Sequence, residues 1–239
     1  NVSVALLGAG LLLFGWFGFN GGSALAAGEL ASLSFTNTFL APMATLVVWA
    51  LLDYFRTGHA TAVGGATGIV VGLVAVTPAA GFISPLHAIL LGAIAAVPSY
   101  YAIAYRARTR LDDSLDVFAG HGIGGITGAL LTGVFAAKTW NGAGNDGLLA
   151  GNPGQLGLQA LGVATSVLYA GAMTFVILKL LGVVMALKAT PRAEGLGMDV
   201  TQHGEEAYGN GEGSILVLPS EVAPDSAPLG ATIPQTATR

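Results

Sequence analysis

The sequence has no cysteine among its 239 residues. Disulfides, thiolate metal ligands and cysteine nucleophiles are therefore excluded. Charge is almost as scarce: nine Lys and Arg and thirteen Asp and Glu make up 9% of the chain, against roughly 25% in soluble domains. Together with a hydrophobic fraction of 53%, that excludes a water-soluble globular fold. The net charge of −4 offers no basic field to hold a nucleic acid. No Walker loop, zinc-ligand spacing, nucleophile elbow or dinucleotide fingerprint occurs, so neither an enzyme nor a metal or cofactor site is expected.

What the chain does have is apolar length and glycine. Apolar runs extend from Val2 to Phe19, Leu30 to Phe55, Val63 to Phe82, Leu86 to Tyr105, Val117 to Ala137 and Leu156 to Leu187. A membrane-spanning helix needs about 20 apolar residues, so the expected fold is an all-α polytopic membrane protein with six transmembrane helices. A helix over the whole last run would reach about 48 Å, longer than a hydrocarbon core of about 30 Å, and should tilt or protrude. The 36 glycines are about twice the usual share and suggest close helix packing. Gly64, Gly68 and Gly72, and again Gly120, Gly124 and Gly128, form small-xxx-small stripes. The second stripe is expected to help fix the direction of His121. Pro42, Pro78 and Pro98 are expected to kink or end helices.

The basic residues sort by loop. Arg56 follows the second run, Arg106, Arg108 and Arg110 follow the fourth, and Lys188 and Arg192 follow the sixth. The intervening connections carry no Lys or Arg except Lys138. By the positive-inside rule the basic side is cytoplasmic, and an even number of spans places both ends of this chain there, in the plasma (cell inner) membrane. The expected organisation is a transmembrane region at 1–188, a cytoplasmic segment at 189–208, and a tail at 209–239 whose Gly, Pro, Ser and Thr content predicts disorder. Asn1 opens directly on an apolar run with no charged region before it, as a piece of a longer protein would.

Ionisable side chains inside a bilayer are costly and mark functional sites. His121 is the main one, inside Asp116-Val-Phe-Ala-Gly-His121-Gly-Ile-Gly-Gly125. Burial favours its neutral imidazole, with one donor and one acceptor nitrogen facing a passing solute; a packing histidine is the alternative. On the first run Trp16, Phe19 and Ser23 fall within about 60° of one another if the helix continues that far. Two aromatic rings below a hydroxyl could hold a small cation; an interfacial aromatic belt is the alternative. Asp116 stands where a carboxylate caps the start of the fifth helix. Asp112 and Asp113 with Arg108 and Arg110 read as a solvated loop. His59 and His87, at loop edges, carry no site pattern.

Four ordered segments carry a family resemblance: Gly15-Trp-Phe-Gly-Phe-Asn-Gly-Gly-Ser23, Thr77-Pro-Ala-Ala-Gly81, Asp112-Asp-Ser-Leu-Asp-Val-Phe-Ala-Gly-His-Gly-Ile-Gly-Gly125, and Gly197-Met-Asp-Val-Thr-Gln-His-Gly-Glu-Glu-Ala-Tyr208. From Asn1 to about Tyr208 the chain resembles the Amt branch of the ammonium transporter family (Amt/Mep/Rh), specifically its spans six to eleven and the tail. The resemblance implies an eleven-helix subunit of a homotrimer with one hydrophobic pore per subunit. It places His121 on the second of the family's twin pore histidines, Ser23 on the outer ammonium site, Phe19 on the gate, Trp16 on the pore wall and Val117 on the cytoplasmic stretch of the conduit. The first histidine, the second gate phenylalanine and the other outer-site aromatic would belong to spans that this chain lacks. Asp199, His203, Gly204, Glu205 and Tyr208 fall in the family's regulatory tail, and a PII signalling protein becomes a possible partner. The implied function is transport in which ammonium is recruited outside, deprotonated, and passed as ammonia beside His121. An Rh-type channel for neutral NH3 or CO2, and an ammonium sensor of the same fold, are the alternatives.

Overall fold

The computed structural model describes residues 1–207, and within them the chain is helical. The long helices are α1 (Val2–Gly22), α2 (Glu29–Thr57), α3 (Ala62–Val76), α4 (Pro85–Arg106), α5 (Gly124–Phe135) and α6 (Pro153–Val184). A π-helical turn, Phe118–Ile123, leads straight into α5, and a short helix α7 (Pro191–Leu196) precedes a second π turn at Asp199–His203. Tyr208 and residues 209–239 lie outside the described residues. The chain divides into two compact units, with the boundary between Tyr169 and Ala170.

Counting the π turn with α5, five helices are long and apolar enough to cross a membrane. The third expected span is the short one. Its α-helix stops after 15 residues, at Val76, and the chain goes on through tight turns closed by Thr77 N–H to Val74 O at 3.3 Å, Ala79 N–H to Val76 O at 2.9 Å and Phe82 N–H to Ala79 O at 2.8 Å. Pro78 explains the change, because it has no N–H for the Val74 carbonyl, which takes the Thr77 N–H instead. Further on, where the turns lead toward α4, Asn37 of α2 supplies a donor: its buried Nδ2 donates to Ala80 O at 2.8 Å and Ile83 O at 2.9 Å. By contrast Pro42 and Pro98 lie inside α2 and α4.

Each junction is closed by local chemistry. Gly58 ends α2 in the left-handed conformation, φ 81°, and Thr61 caps α3, its Oγ1 accepting from Gly64 N–H at 2.9 Å. Ser84 caps α4, with Pro85 in the first turn, where a missing N–H costs nothing. Asp53, buried near the end of α2, accepts from Thr61 Oγ1 at 3.0 Å, which ties α2 to the start of α3.

In the first unit α2 packs against both α3 and α4, while α5 rests on α3 and α4, and α1 on α2 and α3. The core is small-chained, built from Ala41, Ala75, Val76, Ala79, Ala88, Leu91 and Ala95 with Phe135 at its edge. In lipid, helices associate through such close packing rather than through escape from water. The α3 stripe behaves as expected. A methyl added at Gly68 would lie 2.9 Å from Trp49 Cβ, and one at Gly72 would overlap the Pro42 backbone, both on α2. On the other stripe only Gly128 is at closest approach, against the Ala75 carbonyl of α3. Gly124 has room for a methyl, and Gly120 faces open space. Packing at Gly120 therefore does not fix His121, and the π turn does so instead.

Candidate functional site

The site is built along one strip of α1. Trp16 and Phe19, three residues apart, meet edge to face with centroids 5.8 Å apart and planes at 74°. The indole Nε1–H of Trp16 donates to Thr77 Oγ1 at 2.8 Å. Thr77 in turn donates to Leu73 O at 2.7 Å, so the ring is anchored on the end of α3. Ser23 is the C-cap of α1 in right-handed helical conformation, and its hydroxyl donates to Phe19 O at 2.6 Å. The helix therefore does reach Ser23, and the oxygen keeps lone pairs to accept from a cation. One residue beyond Phe19, buried Asn20 donates from Nδ2 to Thr38 Oγ1 at 2.9 Å and locks α1 to α2. Phe17 faces away and stacks on Phe35 at 4.3 Å.

Phe19 is 61% and Val117 47% exposed. An apolar hollow of about 480 Å³ runs along Gly8, Leu11, Leu12, Gly15, Trp16 and Phe19. It shares Gly8 and Leu12 with a second hollow of about 570 Å³, bounded by α1, α3 and the π turn, and His121 opens into this one beside Gly120. A single apolar face of α1 therefore connects the aromatic pair to the imidazole. Thr67, Ser114 and Asp116 are the other polar side chains on the second hollow.

The expected cap at Asp116 needs correction. Asp113 performs it, its two carboxylate oxygens accepting from Val117 N–H and Phe118 N–H, both at 2.9 Å. Asp113 is thus no simple solvated loop residue. Asp116 cannot reach those donors because its backbone has turned left-handed, φ 52°. It pairs instead with Arg106 of α4, at 2.8 Å to Nε and 2.7 Å to the terminal nitrogen. Only its carbonyl serves the turn, accepting from Gly120 N–H at 2.9 Å. The π turn that carries His121 is consequently held at its start by two separate carboxylates.

His87 is also more enclosed than its loop-edge position suggests. Its ring stacks on Phe135 at 4.8 Å, and its Nδ1 is buried without a hydrogen-bond partner.

In the second unit Asp199 organises the tail. Its Oδ2 accepts from Ala207 N–H at 3.0 Å, and its backbone carbonyl accepts from Glu205 N–H at 3.2 Å. The Ala207 and Val200 N–H groups hold its carboxyl below the ordinary value of 3.8. Gly204 follows His203 in the left-handed conformation, φ 70°.

Sequence reasoning gave no site role to Thr77, Asn20 or Asn37, and gave Arg106 only a share in the loop charge. A usable signal existed for Asn20 and Asn37, since an amide inside an apolar run must find a partner. Thr77 and Arg106 become legible only once α1 meets α3 and α4 meets the π turn.

Apolar helices of spanning length, one of them carrying an apolar strip that leads to an imidazole, define an integral multi-pass membrane protein. The family model described as Ammonium Transporter Family matches residues 1–208. The chain is similar to the ammonium transporter of Aquifex aeolicus, at 46% identity over 87% of this chain and 49% of the relative. It is also similar to that of Bacillus subtilis, at 39% identity over 87% and 52%. Among solved structures, Saccharomyces cerevisiae Mep2 superposes with a TM-score of 0.73 at 35% identity, covering 75% of this chain and 41% of Mep2. A sensor Amt protein does so with a TM-score of 0.76 at 33% identity, covering 84% and 49%. The chain belongs to the ammonium transporter family, and it spans about half the length of the curated relatives it matches.

Proposed function

We propose that the complete protein carries ammonium across the membrane as ammonia. The observation that supports this best is the continuous apolar face from Trp16 and Phe19 to His121. Ammonium and potassium are nearly equal in size, so a size filter cannot separate them. A dry passage can, because ammonium is able to shed its charge as a proton and potassium is not. Ser23 and the aromatic pair would receive ammonium, the aromatic faces attracting the cation and the hydroxyl oxygen accepting an N–H. His121 as neutral imidazole would then exchange hydrogen bonds with ammonia, and Val117 would keep the exit apolar. The opposite wall, with its own histidine and aromatic groups, belongs to the half of the relatives' length outside this chain.

The loops with Arg56, Arg106, Arg108 and Arg110 would face the cytoplasm, with the tail. A homotrimer in the plasma (cell inner) membrane, and a PII-type protein docking beneath it at the Asp199–Glu205 segment, complete the reading. The test is methylammonium uptake by the complete protein carrying His121→Ala. A fall of tenfold or more, or loss of discrimination against potassium, is expected; unchanged rate and selectivity would refute the role of His121. A sensor role has one observation in its favour, the likeness to the sensor Amt protein. Ammonium-dependent signalling that survives loss of transport would establish it.

A further inference from the structure

The connection between α5 and α6 is a glycine-rich loop seated on the turns that follow α3. Ala137 N–H donates to Phe82 O at 3.0 Å, and a methyl added at Gly144 would lie 2.7 Å from the Phe82 ring. None of residues 137–152 lines either hollow on α1. Within the loop Asn141 is followed by Gly142. The Asn141 side chain folds back over this bond: its Oδ1 accepts from Ala143 N–H at 3.0 Å, while its main-chain carbonyl accepts from Gly144 N–H at 3.0 Å. A side-chain oxygen bonded to the amide two residues on closes a turn around Gly142 N and brings that nitrogen against Cγ. Gly142 is exposed, a methyl added there would meet nothing within 4 Å, and its N–H makes no hydrogen bond among the described residues. The same dipeptide at Asn20-Gly21 is held in the opposite way. Asn20 is 5% exposed, lies within α1, and donates from Nδ2 to Thr38 Oγ1 at 2.9 Å. There the next main-chain N–H is committed to a helical carbonyl and points along the axis. A third pair, Asn210-Gly211, lies outside the described residues.

We infer that Asn141 is a self-modification site, converting to aspartate and iso-aspartate in the folded protein. The Gly142 N–H gives its proton to hydroxide, and the nitrogen attacks Asn141 Cγ. A bond from that nitrogen to Cγ forms, the Cγ–Nδ2 bond breaks, and the side-chain nitrogen takes a proton from water and leaves as ammonia. Water then adds to either carbonyl of the resulting five-membered succinimide, and the bond from that carbonyl to the ring nitrogen breaks. Opening at Cγ leaves aspartate, and opening at the main-chain carbonyl leaves iso-aspartate. Negative charge develops on Oδ1 during the attack, on the very oxygen that Ala143 N–H already contacts, so the loop supplies the kind of donor found in an oxyanion hole. Gly142 carries no side chain to obstruct the approach. The product adds a negative charge to the loop. Iso-aspartate also adds a methylene to the main chain three residues before Gly144, which has no slack against Phe82. Water is the one co-reactant, and the inference is independent of what the conduit carries.

The experiment is incubation of the complete protein, folded in detergent, in heavy-oxygen water at mildly alkaline pH, followed by peptide mass spectrometry with fragmentation that separates aspartate from iso-aspartate. Residue 141 should gain the mass of an amide-to-acid conversion with one heavy oxygen, as a mixture of both acids, at a rate proportional to hydroxide concentration. Asn20 should remain an amide in the folded protein and convert only after denaturation. Gly142→Ala should slow conversion at Asn141. Ala143→Pro keeps the Asn-Gly pair and removes the donor to Oδ1, and should slow conversion about tenfold or more. The unaltered protein reads the same contribution without a substitution: Asn141 should convert no more slowly when folded than in denaturant. No heavy oxygen at residue 141, or equal rates at Asn20 and Asn141 in the folded protein, would overturn the inference. So would aspartate without iso-aspartate, which indicates direct hydrolysis of the amide. An unchanged rate in a folded Ala143→Pro variant, or faster conversion of Asn141 in denaturant than in the folded protein, would overturn it as well.

Discussion

Two glycines one helical turn apart on α5 should respond oppositely to the same substitution. At Gly128 an added methyl would occupy the position of the Ala75 carbonyl of α3 and overlap its backbone. The obstacle is main chain, which cannot rotate away, so α3 and α5 must separate along a buried interface. Overpacking of this kind costs about 1–3 kcal/mol. At Gly124 the same methyl would meet Ser99 Oγ at 3.6 Å, Val74 Cγ1 at 3.6 Å and Val71 Cγ1 at 3.7 Å, ordinary contact distances. There the substitution removes the backbone freedom of a helical glycine, worth about 0.5–1 kcal/mol in favour of alanine. That gain is common to both positions and cancels, so Gly128→Ala and Gly124→Ala should differ by roughly 1–3 kcal/mol, the overpacking cost alone. Thermal denaturation of the complete protein in detergent would read the difference: Gly128→Ala should melt below the unaltered protein and Gly124→Ala at or above it. Because α5 continues the turn that holds His121, Gly128→Ala should also slow methylammonium uptake. Equal melting of the two variants, or the reverse order, would refute the packing argument.

Three further outcomes can be checked. Asp113→Ala should cost about 1–2 kcal/mol, as loss of a helix cap does, and should speed amide exchange at Val117 and Phe118; Asp116→Asn should leave those two amides protected, since Asp116 binds Arg106 instead. Thr77→Val removes the acceptor of the Trp16 indole, and should weaken uptake at low ammonium more than at saturation, with tryptophan fluorescence reporting the released ring. In the tail, the lowered pKa of Asp199 means that its stabilising effect is complete above the ordinary value of 3.8 and is lost as pH falls through the lower folded value. Amide protection at Ala207, relative to the intrinsic exchange rate at each pH, should then be present at neutral pH and lost on acidification below that range, and Asp199→Asn should lack it at neutral pH.

The helices and the family were legible because both rest on local signals. Apolar length identifies a span wherever it packs, and Gly15 to Ser23 and Asp112 to Gly125 are contiguous segments. The failures were three-dimensional. The third run, from Val63 to Phe82, is apolar throughout, but its α-helix ends before Pro78, and the turns that follow close on their own backbone and on Asn37 of another helix. Asp113 and Asp116 are both acidic residues just before a helix, and their exchange of roles depends on a left-handed backbone at Asp116 and on Arg106 ten positions away. The stripe Gly120, Gly124, Gly128 looks uniform at a spacing of four, whereas a π turn shifts its first member off the packing face. Trp16 and Phe19 could be placed on one face by counting residues; that Thr77 orients the indole could not.

The π turn also sets a rule for insertions and deletions. A wide turn holds one more residue than an α-helical turn of the same path. Loss of a single residue between Phe118 and Ile123 could thus be absorbed by reverting to α geometry, with α5 left undisturbed on α3. Asp113, Asp116 and Val117, before the turn, would then keep their direction toward Arg106 and the hollow. An added residue has no such slack and would rotate them by about 100° about the helix axis. This six-residue stretch therefore tolerates the loss of a residue better than the gain of one.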